Sequence, residues 1–276
     1  MEASRRTSLK IAPLLIAGIV ILFQFFKAEK FTNPETGRTE RVALSHQQEE
    51  ALGLQAYQEV LSSSQVISSG REAEIVHRVA ERIAAATGSA AKDFNWQVSL
   101  VNSPQVNAFC LPGGKIVVYT GILGPAQTDA GLATVIGHEV AHAVARHGAQ
   151  RVFQNSLMQT ALVGAAYSLS DMDNQKRQAI MGLLGAGAQY GVILPFGREH
   201  ETEADQMGLR YMARAGYDPR ESIGFWERMS QTGGAQPPEF MSTHPSHGSR
   251  IENLKAFLPQ AIEEYEKAKP RQVASR

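Results

Sequence analysis

The sequence predicts an α+β fold, mostly helical, with a small β-sheet beside one long central helix. Three observations carry that expectation. Apolar residues recur at helical spacing in several segments, among them Ile75, Val79 and Ile83. Alternation at period two is confined to a short stretch around residues 96–120. From about Thr128 the pattern turns helical and stays so for most of the chain.

Taken in order, an uncharged, mostly apolar run from Ile11 to Phe26 follows Arg5, Arg6 and Lys10 and is closed by Lys27. Residues 1–28 read as an N-terminal membrane anchor or signal, although the run is shorter than the roughly 20 residues of a comfortable span. Phe25-Phe26-Lys27-Ala28-Glu29-Lys30 offers neither a small-residue cleavage site nor a cysteine for lipid attachment. An uncleaved anchor is therefore favoured over a cleaved signal and over a buried helix. Positive charge on both flanks decides orientation only weakly, but a short tail before the apolar run favours an exported C-terminal part.

Residues 29–44, with Asn33-Pro34-Glu35-Thr36-Gly37-Arg38, read as a polar linker. Ser45 with Gln48, and Ser69 with Glu72, form capping-box patterns that open two helices, the second stopping at Gly88. Trp96, Val98 and Leu100 alternate as a strand. Asn107–Cys110, the turn Pro112-Gly113-Gly114 and Lys115–Thr120 read as a hairpin. Ala161–Ala166 and Ala179–Phe196 are rich in Ala, Gly and Leu, and the second reads as a packed core helix rather than a membrane segment. The main domain is expected over residues 45–258, with a charged, frayed tail at 259–276.

The central signal is His138-Glu139-Val140-Ala141-His142. Residues four apart on a helix lie about 40° apart around its axis, so both imidazoles face one side. Two neutral imidazoles so placed bind zinc, and Glu139 then reaches a water on the metal as general base. The helix is supported by Ala133, Val135, Ile136, Val140, Ala141, Val144 and Ala145. Taken alone, the pentapeptide is equally two incidental histidines with a surface glutamate between them.

A catalytic zinc needs a third protein ligand. The longer H-E-x-x-H-x-x-G-x-x-H pattern is excluded, because Ala145 and Gly148 occupy its glycine and last histidine positions. His147 lies five residues past His142, about 140° away on a continuous helix. That makes it a poor ligand, suited instead to a helix-end charge or a contact behind a ligand. The better candidate lies in Glu199-His200-Glu201-Thr202-Glu203-Ala204-Asp205. Glu201 and Asp205 share a helical face, which suits a metal ligand and a carboxylate that holds the other ring proton of a ligand histidine. Glu203 points elsewhere and reads as a surface acid.

These motifs, with Asn107–Lys115, Ala215-Gly216-Tyr217-Asp218-Pro219, Ser242-Thr243-His244-Pro245-Ser246 and Arg250-Ile251, resemble the HtpX-like and CAAX prenyl protease-like zinc metallopeptidases. The likeness covers roughly residues 45–258 and is nearer to the single-anchor or periplasmic branch and the mitochondrial inner-membrane stress proteases. It implies a gluzincin domain holding one Zn2+ per chain on His138, His142 and Glu201. It also implies a catalytic domain on the periplasmic side of a bacterial inner membrane, and a quality-control role against misfolded envelope proteins. The extra membrane helices of multi-span members are missing, so prenylated substrates are not carried over.

By the same resemblance His244 lies near the zinc, on a loop before Arg250. It is read as an oxyanion donor, as an inhibitory fourth ligand, or as a loop-packing residue. Arg250 is expected to pair with Asp205 or a neighbouring acid. His200 and His247 default to solvent, and Cys110 to a small buried residue. Strand Lys115–Thr120 is either an open edge for an extended peptide or an ordinary buried strand.

Composition narrows the class. Lys plus Arg equals Asp plus Glu at 27 each, which gives no electrostatic footprint for nucleic acid. The single Cys110 permits neither an intrachain disulfide nor a thiolate zinc site. The expected activity is endoproteolysis of protein or peptide substrates that are membrane-associated or exported. The alternative is a latent or inactive zinc-binding chaperone or scaffold; a zinc-free adaptor fails on the coincidence of three ligand positions. Oligomeric state is not read from the sequence.

Overall fold

The computed structural model describes residues 10–170, 197–232, 240–241, 244 and 250–268. The expected core helix over Ala179–Phe196 lies outside the described residues, as do Arg5, Arg6 and His247. The chain divides into two compact units, of which the smaller takes residues 1–31, 39–45 and 149–194.

In the smaller unit, α1 (Ile11–Lys27) carries charge only at its ends and exposes most of its large side chains, Phe26 at 74%. Its buried residue, Ala17, meets Gly164, where an added Cβ would come within 2.4 Å of the alanine's own. Only glycine admits that approach. No described helix is long and apolar enough to cross a membrane. The expected linker is folded: β1 (Glu29–Thr32) and β2 (Thr39–Val42) pair as a two-stranded sheet. Arg41 lies 4.0 Å over the Phe25 ring.

The larger unit takes residues 32–38, 46–148 and 195–276. Helix α2 (His46–Ser62) begins directly after Ser45. It is followed by β3 (Val66–Ile67) and α3 (Arg71–Ala86). Ser69 does not cap α3; its N-cap is Gly70, at φ 98°. Strands β4 (Gln97–Val101), β5 (Ala108–Leu111) and β6 (Lys115–Tyr119) complete a sheet of order β3-β4-β6-β5. Trp96 lies just outside β4. Strand β6 pairs parallel with β4 and antiparallel with β5, so it is interior and offers no open edge. Its pairing groups are consumed on both sides, and β5 forms that border of the sheet.

After the short α4 (Leu123–Ala126), α5 (Asp129–Val144) is capped by Thr128, whose hydroxyl accepts from the Gly131 amide at 3.0 Å. Helix α6 (His147–Ser168) starts in this unit and belongs to the smaller one from Ala149. Then come α7 (Arg198–Arg214), α8 (Glu221–Gln231) and α9 (Arg250–Ala268). Val76, Val79 and Ile83 of α3, Leu100, Ile116 and Val118 of the sheet, Ile136 and Val140 of α5 and Met207 of α7 form one core. Burial of this apolar surface holds the unit together.

Helix α9 runs through Pro259 to Ala268, so the first part of the expected tail is helical. Ala261 is buried, and Glu264 receives Arg210 Nε at 2.8 Å and Arg214 Nε at 2.6 Å. Side-chain anchoring thus carries the helix past the hydrogen bond that proline removes.

Candidate metal centre

Helix α5 is buried continuously from Gly131 to Val144, which places His138, Glu139 and His142 inside the protein. Helix α7 faces it at close range. A Cβ on Gly208 would come within 3.0 Å of the His138 amide, and one on Gly137 within 3.1 Å of the Gly208 carbonyl. Two glycines let the helix carrying Glu201 and Asp205 approach the helix carrying the histidines.

The side chains converge. His138 Nε2 and His142 Nε2 are 3.1 Å apart, and Glu201 Oε1 lies 3.3 Å from His142 Nε2. Glu201 Oε2 lies 3.5 Å from His138 Nε2. His244 Nδ1 stands 3.0 Å from Glu201 Oε1 and 3.3 Å from His138 Nε2. One ligand atom from each of His138, His142, Glu201 and His244 falls within 4.8 Å of the others, and all four residues are buried.

A carboxylate only accepts, so His138 Nδ1 donates to Asp205 Oδ1 at 2.9 Å, and in the neutral ring the Nε2 lone pair faces the cluster. Asp205 Oδ1 also receives Arg250 Nη2 at 2.5 Å, while Arg250 Nη1 donates to Glu201 Oε2 at 3.2 Å. The guanidinium lies 3.3 Å over the Trp226 ring. Phe240 stacks on His244, with ring centroids 4.6 Å apart.

His147 takes the expected place behind a ligand, whereas three residues, Glu203, His200 and Cys110, differ from expectation. His147 is fully buried, its Nδ1 2.9 Å from His142 Nδ1 and its Nε2 3.0 Å from Glu203 Oε2. It lies behind a candidate ligand because α5 ends at Val144 and Arg146, at φ 56°, turns the chain before α6 begins. Arg146 is held by Glu49 of α2 at 2.6 Å, and both are buried. Glu203 is not a surface acid: it is 7% exposed, because residues 33–38 cover it. His200, expected in solvent, is buried and stacked on His147 at 4.4 Å. Cys110 is only partly buried. Burial first, and then the charge of Glu139, push its thiol up.

The electrostatics fit a divalent cation. When all are ionised, the three buried carboxylates Glu139, Glu201 and Asp205 outnumber the two buried cations, the Arg250 guanidinium and a protonated His138. Burial lowers His138, but Asp205 and Glu201 outweigh it and raise the ring to about 9. Burial would raise the Glu201 carboxyl, yet hydrogen bonds from His138, His142 and His244 hold it far below the usual carboxylate range. Imidazole nitrogens with one carboxylate form a zinc donor set. Glu139 Oε1 is buried and makes no hydrogen bond among the described residues, with His244 Nε2 3.5 Å away.

A family model described as "Peptidase family M48" matches residues 70–258. The chain is 37% identical over 218 residues to "Mitochondrial metalloendopeptidase OMA1" of Schizosaccharomyces pombe, covering 77% of this chain and 62% of that protein. It is 42% identical over 163 residues to the protein of the same description in Arabidopsis thaliana, covering 58% and 31%. It is 26% identical over 282 residues to "Beta-barrel assembly-enhancing protease" of Escherichia coli (strain K12), covering 97% and 57%. The chain therefore spans between 31% and 62% of the length of these relatives.

Proposed function

Because the chain belongs to peptidase family M48, we propose that it is a zinc-dependent endopeptidase, with His138, His142 and Glu201 holding the metal and Glu139 as general base. The observation that carries this reading is the convergence of buried donors from His138, His142 and Glu201, with a buried Glu139 whose Oε1 makes no hydrogen bond among the described residues.

Zinc bound there supplies Lewis acidity, which polarises a water and the scissile carbonyl. The rest falls to the chain's own groups. Burial raises the Glu139 carboxyl, against the lowering effect of His244 and His138. It takes a proton from the attacking water as the new C–O bond forms. It returns that proton to the amine nitrogen as the C–N bond breaks. Asp205 and Arg250 hold His138 and Glu201 in place, so the site meets the developing charge with little reorganisation.

His244 supports a second, latent reading. Its Nδ1 lies in the donor group and its Nε2 is 3.5 Å from Glu139 Oε1. In this arrangement His244 closes the ligand sphere and covers the base, and activity requires it to leave. Once displaced, its N–H is available to the oxyanion. A zinc-binding scaffold without cleavage would share this arrangement, but a scaffold has no use for a base at Glu139.

Substrates are proposed to be membrane-associated or exported proteins, with misfolded ones preferred. The exposed apolar surface of α1 supports membrane attachment through the N-terminal segment, and the catalytic domain is assigned to the periplasmic side of a bacterial inner membrane. The test is Glu139→Gln in the full chain. Casein cleavage should fall by about 100-fold or more, with zinc content unchanged. Cleavage at the wild-type rate would contradict the assignment. Zinc without cleavage in the wild type, with cleavage gained by His244→Ala, would establish latency.

A further inference from the structure

The polar turn between β1 and β2 has no role in the mechanism above, yet it is one of the most heavily bonded segments of the larger unit. Asn33 is 2% exposed, and its Oδ1 accepts from the Glu35 amide at 2.9 Å. That bond turns its amide nitrogen outward to Glu203 Oε1, at 2.8 Å. Thr36 Oγ1 donates to the same oxygen. Arg38 Nε donates to Glu203 Oε2 at 2.6 Å. The turn is fastened to α7 a second time through Glu35, which takes Arg214 Nη1 at 2.8 Å and Arg210 Nη1 at 3.2 Å.

Glu203 has one further partner, and it leads to the metal centre. Its Oε2 accepts from His147 Nε2 at 3.0 Å, which fixes the proton of a neutral His147 on Nε2 and makes its Nδ1 an acceptor. His142 Nδ1, 2.9 Å away, must then donate, and the His142 Nε2 lone pair is left for the metal. The stacked His200 ring limits rotation of His147.

We infer that the turn Asn33–Arg38 positions the metal centre, setting the orientation and tautomer of His142 through Glu203 and His147. This rests on the zinc reading of the centre. Glu203 and His147 are positioning residues: neither touches substrate or metal, and each acts through the next. The turn's second attachment, Glu35 with Arg210 and Arg214, does not lead to a ligand and serves as the internal control.

The test measures zinc affinity by chelator competition, and the visible spectrum of the Co2+-substituted form, on the full-length protein in detergent. Glu203→Ala should weaken zinc binding about 10- to 100-fold and alter the Co2+ absorption. Glu203→Gln, which keeps an acceptor for His147, should recover most of the affinity. Thr36→Val with Arg38→Ala should weaken binding several-fold with Glu203 intact. Glu264→Ala, which loosens only Arg210 and Arg214, should lower Tm and leave affinity and spectrum unchanged. Wild-type affinity and spectrum in Glu203→Ala would overturn the inference. If that variant does not fold, unchanged affinity in the Thr36/Arg38 double variant overturns it equally. A wild-type chain that takes up no zinc would sink the zinc reading itself, an outcome distinct from either.

Discussion

The two histidines of α5 are held by two arms built differently. His138 is fastened in one step, by Asp205 four residues beyond Glu201 on the same helix, with Arg250 behind it. His142 is fastened in two steps, by His147 and then Glu203, with a turn more than a hundred residues away in sequence closing the arm. Both arms have the same chemical result: a ring Nδ1–H given to an acceptor, and an Nε2 lone pair facing the cluster. A fixed tautomer is what a metal site requires of its histidines, and a fold reaches it by whichever acceptor it can bring to the spot.

The arms differ in what they lose when cut. Asp205→Ala removes the acceptor of His138 and strands part of a buried guanidinium. Zinc affinity should fall about 10- to 100-fold, and stability by about 3 kcal/mol, the low end for a broken buried pair because Glu201 still holds Arg250 Nη1. Denaturant melts and chelator competition read the two losses separately. If Glu203→Ala costs as much stability as Asp205→Ala, the arms are not as different as their partners suggest. The longer arm also depends on its bend. Arg146 is left-handed at φ 56° and tied to Glu49. Arg146→Ala and Arg146→Gly both lose that pair, but glycine accepts the backbone without strain. The glycine variant should therefore be the more stable of the two by about 1 kcal/mol, the smallest effect expected here. Equal stability would show that the turn is set by its surroundings rather than by residue 146.

The same contrast explains what was legible in the sequence. The short arm follows helical periodicity, since Glu201 and Asp205 share a face and His138 and His142 share another, and spacing alone pairs them. The long arm breaks periodicity. Read as one helix, His147 points about 140° from His142. The chain instead bends at Arg146, where an arginine stands in the conformation that glycine usually marks. Glu203 was equally hidden. Two residues from Glu201, it faces the other way on an isolated helix and is buried between residues 33–38 and His147. Asn33, Glu35, Thr36 and Arg38 are polar in a solvated linker and polar in a turn that serves buried partners, and composition does not separate the two. The hairpin of β5 and β6 was readable from alternation and the Pro112-Gly113-Gly114 turn. The parallel pairing of β6 with β4 was not, because it depends on how α3 and α5 pack the sheet.

This cluster is proposed to work as a zinc centre. It is tested most directly by elemental analysis of the purified full-length chain, paired with casein cleavage in the presence and absence of a chelator. About one zinc per chain is expected, as a three-ligand site of this kind takes, with cleavage that the chelator abolishes and added zinc restores. Properly folded protein without zinc, or cleavage indifferent to the chelator, would contradict it.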